Sequence, residues 1–434
     1  MRGFALAAAF VAAVFLPGER LGIAVPVVAG LLLATAAATI RASALRLVLA
    51  GLALALAAQA ALLDATWVLA LDLIAAWVLA SLAASGVAIE ALIAPVRRLR
   101  KVGALAPRPS ERHVPAIRGL AAGAVVVVPF LLLFLSADAA FAGFAGDLPL
   151  PSGASVPWRL TLLVLVLAAG LGLGLAARYP VRKGDPRPGR RFSFAEWWIP
   201  MVLLDALFLA FVAVQLAVLF GGHDQVLKTE GLTYAEYARS GFWQLLASTA
   251  LTCVVVGVVL ARADLRNRRD SIVLRTLLGL LGALALVVLV SALHRLRLYE
   301  EAFGLTRLRL LVEATAWWLG AMLVLAMGAV ATHGVRTRVG KLAVVATAAG
   351  LLAFSLDSPD RRVAERNVER WRQTGMLDIG YLSGLSADAT PVLAELPERE
   401  RELAIERIRE RVSEGDPWGS ANRSRARARA LLDP

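Results

Sequence analysis

The chain has one cysteine, four histidines and five tyrosines in 434 residues, and only 18% of it is charged. The lone Cys253 excludes a disulfide framework and any zinc site built from several cysteines. His113, His223, His294 and His333 fall in different loops or span ends, and no His-Glu-x-x-His helix occurs. A phosphate-binding loop ending in Gly-Lys-Ser/Thr and a Gly-x-Ser-x-Gly nucleophile elbow are missing too. No motif therefore names a catalytic residue, a metal or a cofactor. Charge is also scarce: soluble domains carry about 25%, and this chain has too little to coat a surface of its length. In place of charge there is apolar content, at 59% against roughly 45–50% for soluble domains. The composition is that of a polytopic membrane protein.

A crossing helix needs about 20 mostly apolar residues. Eleven runs qualify, near 3–16, 21–40, 47–63, 66–93, 119–141, 158–177, 197–220, 242–260, 276–294, 308–331 and 340–356. The first also fits a signal peptide, since Arg2 precedes it, but no small-x-small cleavage site comes before Glu19-Arg20. With the N-terminus inside, the inner segments hold 24 of the 46 Lys and Arg residues, the outer segments 8 and the stretch after 356 the other 14. This bias orients the bundle N-in and C-out. It also explains the net charge of +13 as a topology signal, without nucleic acid as a partner. The expectation is an all-α bundle of about eleven spans in a bacterial cytoplasmic membrane. Its parts are 1–118, with four spans and a basic inner loop, a core at 119–356, and a helical extramembrane segment at 357–434.

That last segment carries 14 basic and 15 acidic residues. Ser358-Pro359-Asp360 reads as a helix start with Ser as cap, and Gly375 as its stop. A second helix is expected from about Asp388 to Leu396. A third follows Pro397 with Leu403, Ile405, Ile408 and Val412 as its apolar stripe. The Arg-rich end, Arg423 to Arg429, reads as disordered or as lying on anionic headgroups.

Acids inside spans cost roughly 2.5–3.5 kcal/mol on insertion scales. Asp72 and Asp205 are the deep ones, and either line an ion or proton route or are satisfied by neighbours within the bundle. Three outer segments carry unexpected polarity: 136–141, 231–243 and 291–309. Thr233 and Glu236 form a capping box, and Tyr234, Tyr237, Phe242 and Trp243 suit the headgroup level. The third segment holds Arg295, Arg297, Arg307 and Arg309, four of the eight outer basic residues. Helical spacing offers Arg297 to Glu300 or Glu301 and Arg309 to Glu313 as ion pairs. The rival role for these arginines is a forked grip on an anionic lipid or solute. The candidate outer-face binding set is Asp138, Gln215, Tyr234, Glu236, Tyr237, Arg239, His294, Arg295, Arg297, Tyr299, Arg307, Arg309 and Glu313, with the three segments expected to converge.

The runs Ser136-Ala137-Asp138 to Phe141, Phe208 to Gly222, Leu232-Thr233-Tyr234-Ala235-Glu236-Tyr237-Ala238-Arg239 and Gly304-Leu305-Thr306-Arg307-Leu308-Arg309 resemble an uncharacterised bacterial integral-membrane family, a domain of unknown function. Leu377-Asp378 to Tyr381-Leu382 and Leu385-Ser386-Ala387-Asp388-Ala389 resemble its C-terminal segment. The resemblance covers roughly 119–396. Phe303, Trp243-Gln244 and Ser358 depart from the family pattern, and Gln244 stands where the family has a carboxylate. The family implies no activity. The leading expectation is a non-catalytic envelope sensor, regulator or binding protein, with the lipid bilayer as its surroundings and a protein partner at the C-terminal segment. The alternatives are a transporter or lipid-handling protein, and a membrane-embedded transferase using Asp138, Glu236, His294 and Arg295.

Overall fold

The computed structural model describes residues 20–37, 43–85, 114–144, 192, 194–220, 241–262, 268–332 and 338–432. The expected runs near 3–16 and 158–177, and the capping box in 231–240, lie outside the described residues. Within them the chain is all-helical, with no strand. The apolar helices are α1 (Ala24–Ala37), α2 (Ala44–Leu62), α3 (Thr66–Ser85), α4 (Val114–Ala137), α6 (Phe194–Phe220), α7 (Phe242–Arg262), α8 (Arg268–Phe303), α9 (Arg307–Ala331) and α10 (Val339–Leu356), with the short α5 (Ala139–Phe144) after α4. Seven of them, α2, α3 and α6 to α10, are long and apolar enough to cross a membrane. The apolar stretches of α1 and α4 are shorter. Helix α8 has 36 residues and so runs about 54 Å at 1.5 Å per residue. That exceeds the ~30 Å of hydrocarbon, so its polar ends, Arg268-Arg269-Asp270 and His294 to Glu301, reach past the apolar layer.

The chain divides into two compact units, one formed by Met1–Ala88, Phe303–Ala314 and Lys341–Pro434, the other by Ile89–Ala302 and Thr315–Gly340. The C-terminal helices belong to the same unit as the N-terminal spans.

In the first unit α2 and α3 form a hairpin around the turn Leu63–Ala65, and α1 packs on both. Leu49, Ala53, Leu56, Ala57, Ala60, Val68 and Leu69 make its core. The same unit holds a module of α11 (Pro359–Thr374), α12 (Ile379–Leu382), a 3-10 turn (Ala387–Ala389), α13 (Thr390–Leu393), α14 (Glu398–Val412) and α15 (Arg423–Leu432). Its apolar centre gathers Val363, Val368, Leu385, Leu393, Ile405, Ile408 and Val412. Gly375 ends α11 in the left-handed region with φ 72°, as its position predicts.

Four local expectations are corrected. Ser358 precedes α11 but has φ 52° and makes no side-chain cap, because a capping side chain reaches the first-turn amides from an extended backbone, not a left-handed one. The helix expected from Asp388 is a 3-10 turn followed by the single turn α13. In α14 Ile405, Ile408 and Val412 are buried as expected, but Leu403 is 51% exposed and Ala404 takes its place on the buried face. The 423–429 stretch is helix α15 with Arg425 only 4% exposed, since Asp64 and Asp416 pair with Arg425 and Asp416 also with Arg429.

In the second unit phenylalanines lock α4 onto α6. Phe134 stacks on Phe211 with ring centroids 4.1 Å apart and meets Phe208 edge-on at 4.9 Å. Phe130 and Phe141 extend the cluster.

Replacing Ile408, which is fully buried, by Ala should lower stability by about 2–5 kcal/mol, read by thermal denaturation in detergent. Leu403→Ala, on the exposed side, should change it by under about 1 kcal/mol. Equal losses would contradict the exposed placement of Leu403.

Candidate functional site

The hairpin turn between α2 and α3 begins the site. Helix ends leave backbone groups without intrahelical partners, and here the module supplies them. The Asp388 carboxylate accepts the amides of Asp64 (3.0 Å) and Ala65 (2.9 Å), together with the Ser386 hydroxyl (2.8 Å). Asp64 reciprocates by accepting the Ala387 amide at 3.1 Å. The Asn422 side chain donates to the carbonyls of Ala60 and Leu63 at the end of α2, at 3.0 and 2.7 Å. Arg425 bridges onward. Its guanidinium donates to Asp64 (2.9 Å), to Asp416 (2.9 Å) and to the Leu21 carbonyl (3.1 Å). Arg429 closes on the other Asp416 oxygen at 2.9 Å.

A second buried acid sits in the first turn of α11. The Asp360 side chain is fully buried and surrounded by donors. Arg307 donates through Nε at 2.7 Å and again through Nη2. The Trp67 indole donates at 3.0 Å and the Ser386 amide at 2.8 Å. The Arg307 amide donates to the Tyr381 hydroxyl at 2.7 Å. Gly304, with φ 77°, has no room for a Cβ beside Asn367. Asn367 donates to the Leu305 carbonyl at 2.7 Å and so ties the turn before α9 to α11.

Burial pushes the Asp360 carboxyl up, but the Arg307 hydrogen bond and charge, with Ser386 and Trp67, outweigh it and hold the group below its ordinary value. Asp388 is raised, first by burial and also by the Asp64 charge, against the hydrogen bonds that favour its charged form. Burial likewise raises Tyr381. Within the spans, the Ser355 hydroxyl lies 2.7 Å from Asp72 Oδ1.

The second unit has its own clasp. Arg295, 4% exposed, donates to Asp138 at 2.6 Å and to the Ala137 carbonyl at 3.0 Å. Asp138 in turn accepts the Phe141 amide. Gly241 has φ 78°, and a Cβ there would collide with the Ala137 carbonyl and reach Arg295 Nη1. Parts of the segments 136–141, 231–243 and 291–309 therefore meet, at Asp138, Gly241 and Arg295. Arg307 and Arg309 belong to the first unit, where Arg307 takes Asp360 and Arg309 donates to the carbonyls of Phe303 and Gly304. On α8 His294 and Arg297 are exposed and Tyr299 half-buried, and Glu313 is half-buried on α9. Gln215 lies half-buried on α6. Tyr234, Glu236, Tyr237 and Arg239 lie outside the described residues. Both oxygens of Asp205 and Asp72 Oδ2 have no hydrogen-bond partner among the described residues.

Residues 24–396 match the model of a family described as a domain of unknown function, DUF4153. The chain belongs to this family. The family match extends the resemblance seen in 119–396 back through α1, α2 and α3. Asp64, Asp360, Asp388 and Tyr381 fall inside the family domain, whereas Asp416, Asn422 and Arg425 lie beyond its end. No curated protein and no solved structure matches the chain. Sequence reasoning passed over Asp64, Asp388 and Arg425 as site residues. The signal available was local: Asp64 interrupts two apolar runs, and Asp416 stands nine residues before Arg425.

Asp360→Asn leaves a guanidinium without its charge partner and should cost about 2–4 kcal/mol near neutral pH. A carboxyl lowered in the folded state contributes stability that is present above its unfolded value and lost as pH falls through the folded one. Acid titration of thermal stability should therefore be shallower in the variant, and an unchanged acid limb would contradict this role. Gly241→Ala should destabilise by about 2–4 kcal/mol through φ and the Ala137 carbonyl, while Gly257→Ala, in open space within α7, should be neutral or better.

Proposed function

We propose that this is a multi-pass protein of the bacterial cytoplasmic membrane that senses or regulates by binding, without catalysing a reaction. The observation that carries the reading is the continuous set of ion pairs and amide bonds joining the C-terminal module to the α2–α3 turn. A partner that shifts the module acts on Asp388, Asp64 and Arg425 together, and through them on two spanning helices. The module also offers a charged cavity of about 490 Å³ lined by Arg362, Arg366, Arg372, Glu365, Glu369 and Glu395 among others. It provides a surface for a protein partner. The Lys and Arg distribution favours eleven crossings with the N-terminus inside and the module outside. His294 and Arg297, three residues apart on the exposed side of α8, are the outer positions open to an anionic headgroup.

One observation favours a second reading, transport. Buried acids in spans mark ion or proton routes, and the carboxylate of Asp205 has no hydrogen-bond partner among the described residues. The two readings separate in proteoliposomes carrying a pH-sensitive dye. The regulatory reading expects proton flux no higher than in empty vesicles. Flux that Asp205→Asn abolishes while expression holds would replace it with the transport reading.

Orientation has its own check. In a Cys253→Ser background, a cysteine at the exposed Gly415 should react with an impermeant thiol reagent on intact cells, and one at Gly184 should not. The opposite pattern would overturn the C-out arrangement.

A further inference from the structure

We propose that the trough between α1, α2 and α3 is a binding site for one acyl chain of a bilayer phospholipid. This goes beyond the regulatory reading and does not depend on it.

The trough is built by residue size. Ala29, Ala53, Ala57, Ala76 and Ala80 face it, and each leaves space that a larger side chain would fill. Leu32, Leu33, Leu73 and Trp77 stand as the walls. The result is a cavity of about 340 Å³, at the lower end of the roughly 300–1,000 Å³ of ligand pockets. Its level is that of the apolar windows of α2 and α3, both long enough to cross a bilayer. At that depth the surrounding medium is hydrocarbon.

Three features select the occupant. The lining is apolar apart from Ser81 at one end, so water would find too few hydrogen-bond partners to be held there. The wall residues Leu32 and Trp77 are 48% and 71% exposed, so the trough opens sideways to the lipid. An empty groove forfeits dispersion contacts along its whole lining, and the flexible chain that fits its chemistry is the one the bilayer supplies. The head end also meets built structure. Just before α1 the Leu21 carbonyl accepts from Arg425 and the Ile23 amide donates to the Ala421 carbonyl. α1 is therefore fixed at that end, and the trough has a set width there.

The test uses the full chain in phosphatidylcholine nanodiscs doped with a phosphatidylcholine bearing a photoactivatable diazirine in its acyl chain, with adducts mapped by peptide mass spectrometry. The half-buried lining residues Leu33 and Leu73 should be labelled at least roughly fivefold more than Val125 and Val290, a preference equivalent to about 1 kcal/mol. Val125 and Val290 are 71% and 65% exposed on other helices, so labelling that follows exposure alone overturns the proposal. Ala29→Leu combined with Ala80→Leu fills the trough from half-buried positions and should erase the excess. Persistence of the excess in that variant also overturns it. Labelling of the unsubstituted chain stands as the deciding arm should the variant fail to fold. Protection of Leu33 and Leu73 together with a dimer in native mass spectrometry would assign the trough to a second copy instead.

Discussion

A fully buried carboxylate in a largely apolar chain has to be surrounded by donors or it cannot stay charged, and Asp360 sets the terms for everything around it. Transferring such a group from water costs several kcal/mol even after relaxation. The cost is offset because Arg307, Trp67 and Ser386 all donate to the two oxygens. Those donors come from the start of α9, the start of α3 and the turn before α13. One side chain thus brings segments about 50 and 290 residues distant in sequence to the first turn of α11.

Asp388 repeats the device one step along. Its partners are the amides of Asp64 and Ala65, the groups that a helix hairpin leaves exposed. Arg425 and Asn422 then occupy the remaining polar positions of the same turn. With these groups satisfied by protein atoms, the α2–α3 turn and the module form one polar junction. Apolar packing of Val363, Ile405 and Ile408 holds the module itself but does not specify where it sits. The directional bonds do that, as buried polar networks do where geometry must be unique.

Membrane helices were the most legible part of the chain, because bilayer thickness fixes both their length and their composition. α6, α7, α9 and α10 lie where their apolar runs predict them. The stripe of α14 shows the limit of periodicity: Ile405, Ile408 and Val412 are buried as expected, and only tertiary packing decides between Leu403 and Ala404. The arginines were harder. Helical spacing offers Arg297 to Glu300 or Glu301 and Arg309 to Glu313, but it gives no view of partners on other elements. Arg295 reaches Asp138, 157 residues away, and Arg307 reaches Asp360, 53 residues away. Local spacing carries no information about such pairs. The reading of Arg423 to Arg429 as disordered missed helix α15 in part for the same reason, since Asp64 lies 361 residues from Arg425.

The central claim is that the junction is one coupled structure rather than a set of separate contacts. Hydrogen–deuterium exchange on the full chain in nanodiscs tests it, comparing Arg425→Gln with the unsubstituted protein. Loss of Arg425 frees Asp64, whose other oxygen holds the Ala387 amide. Coupling predicts faster exchange at 386–389 and at 63–66 as well as in α15. Faster exchange confined to 416–432, with the turn and 386–389 unchanged, would contradict it.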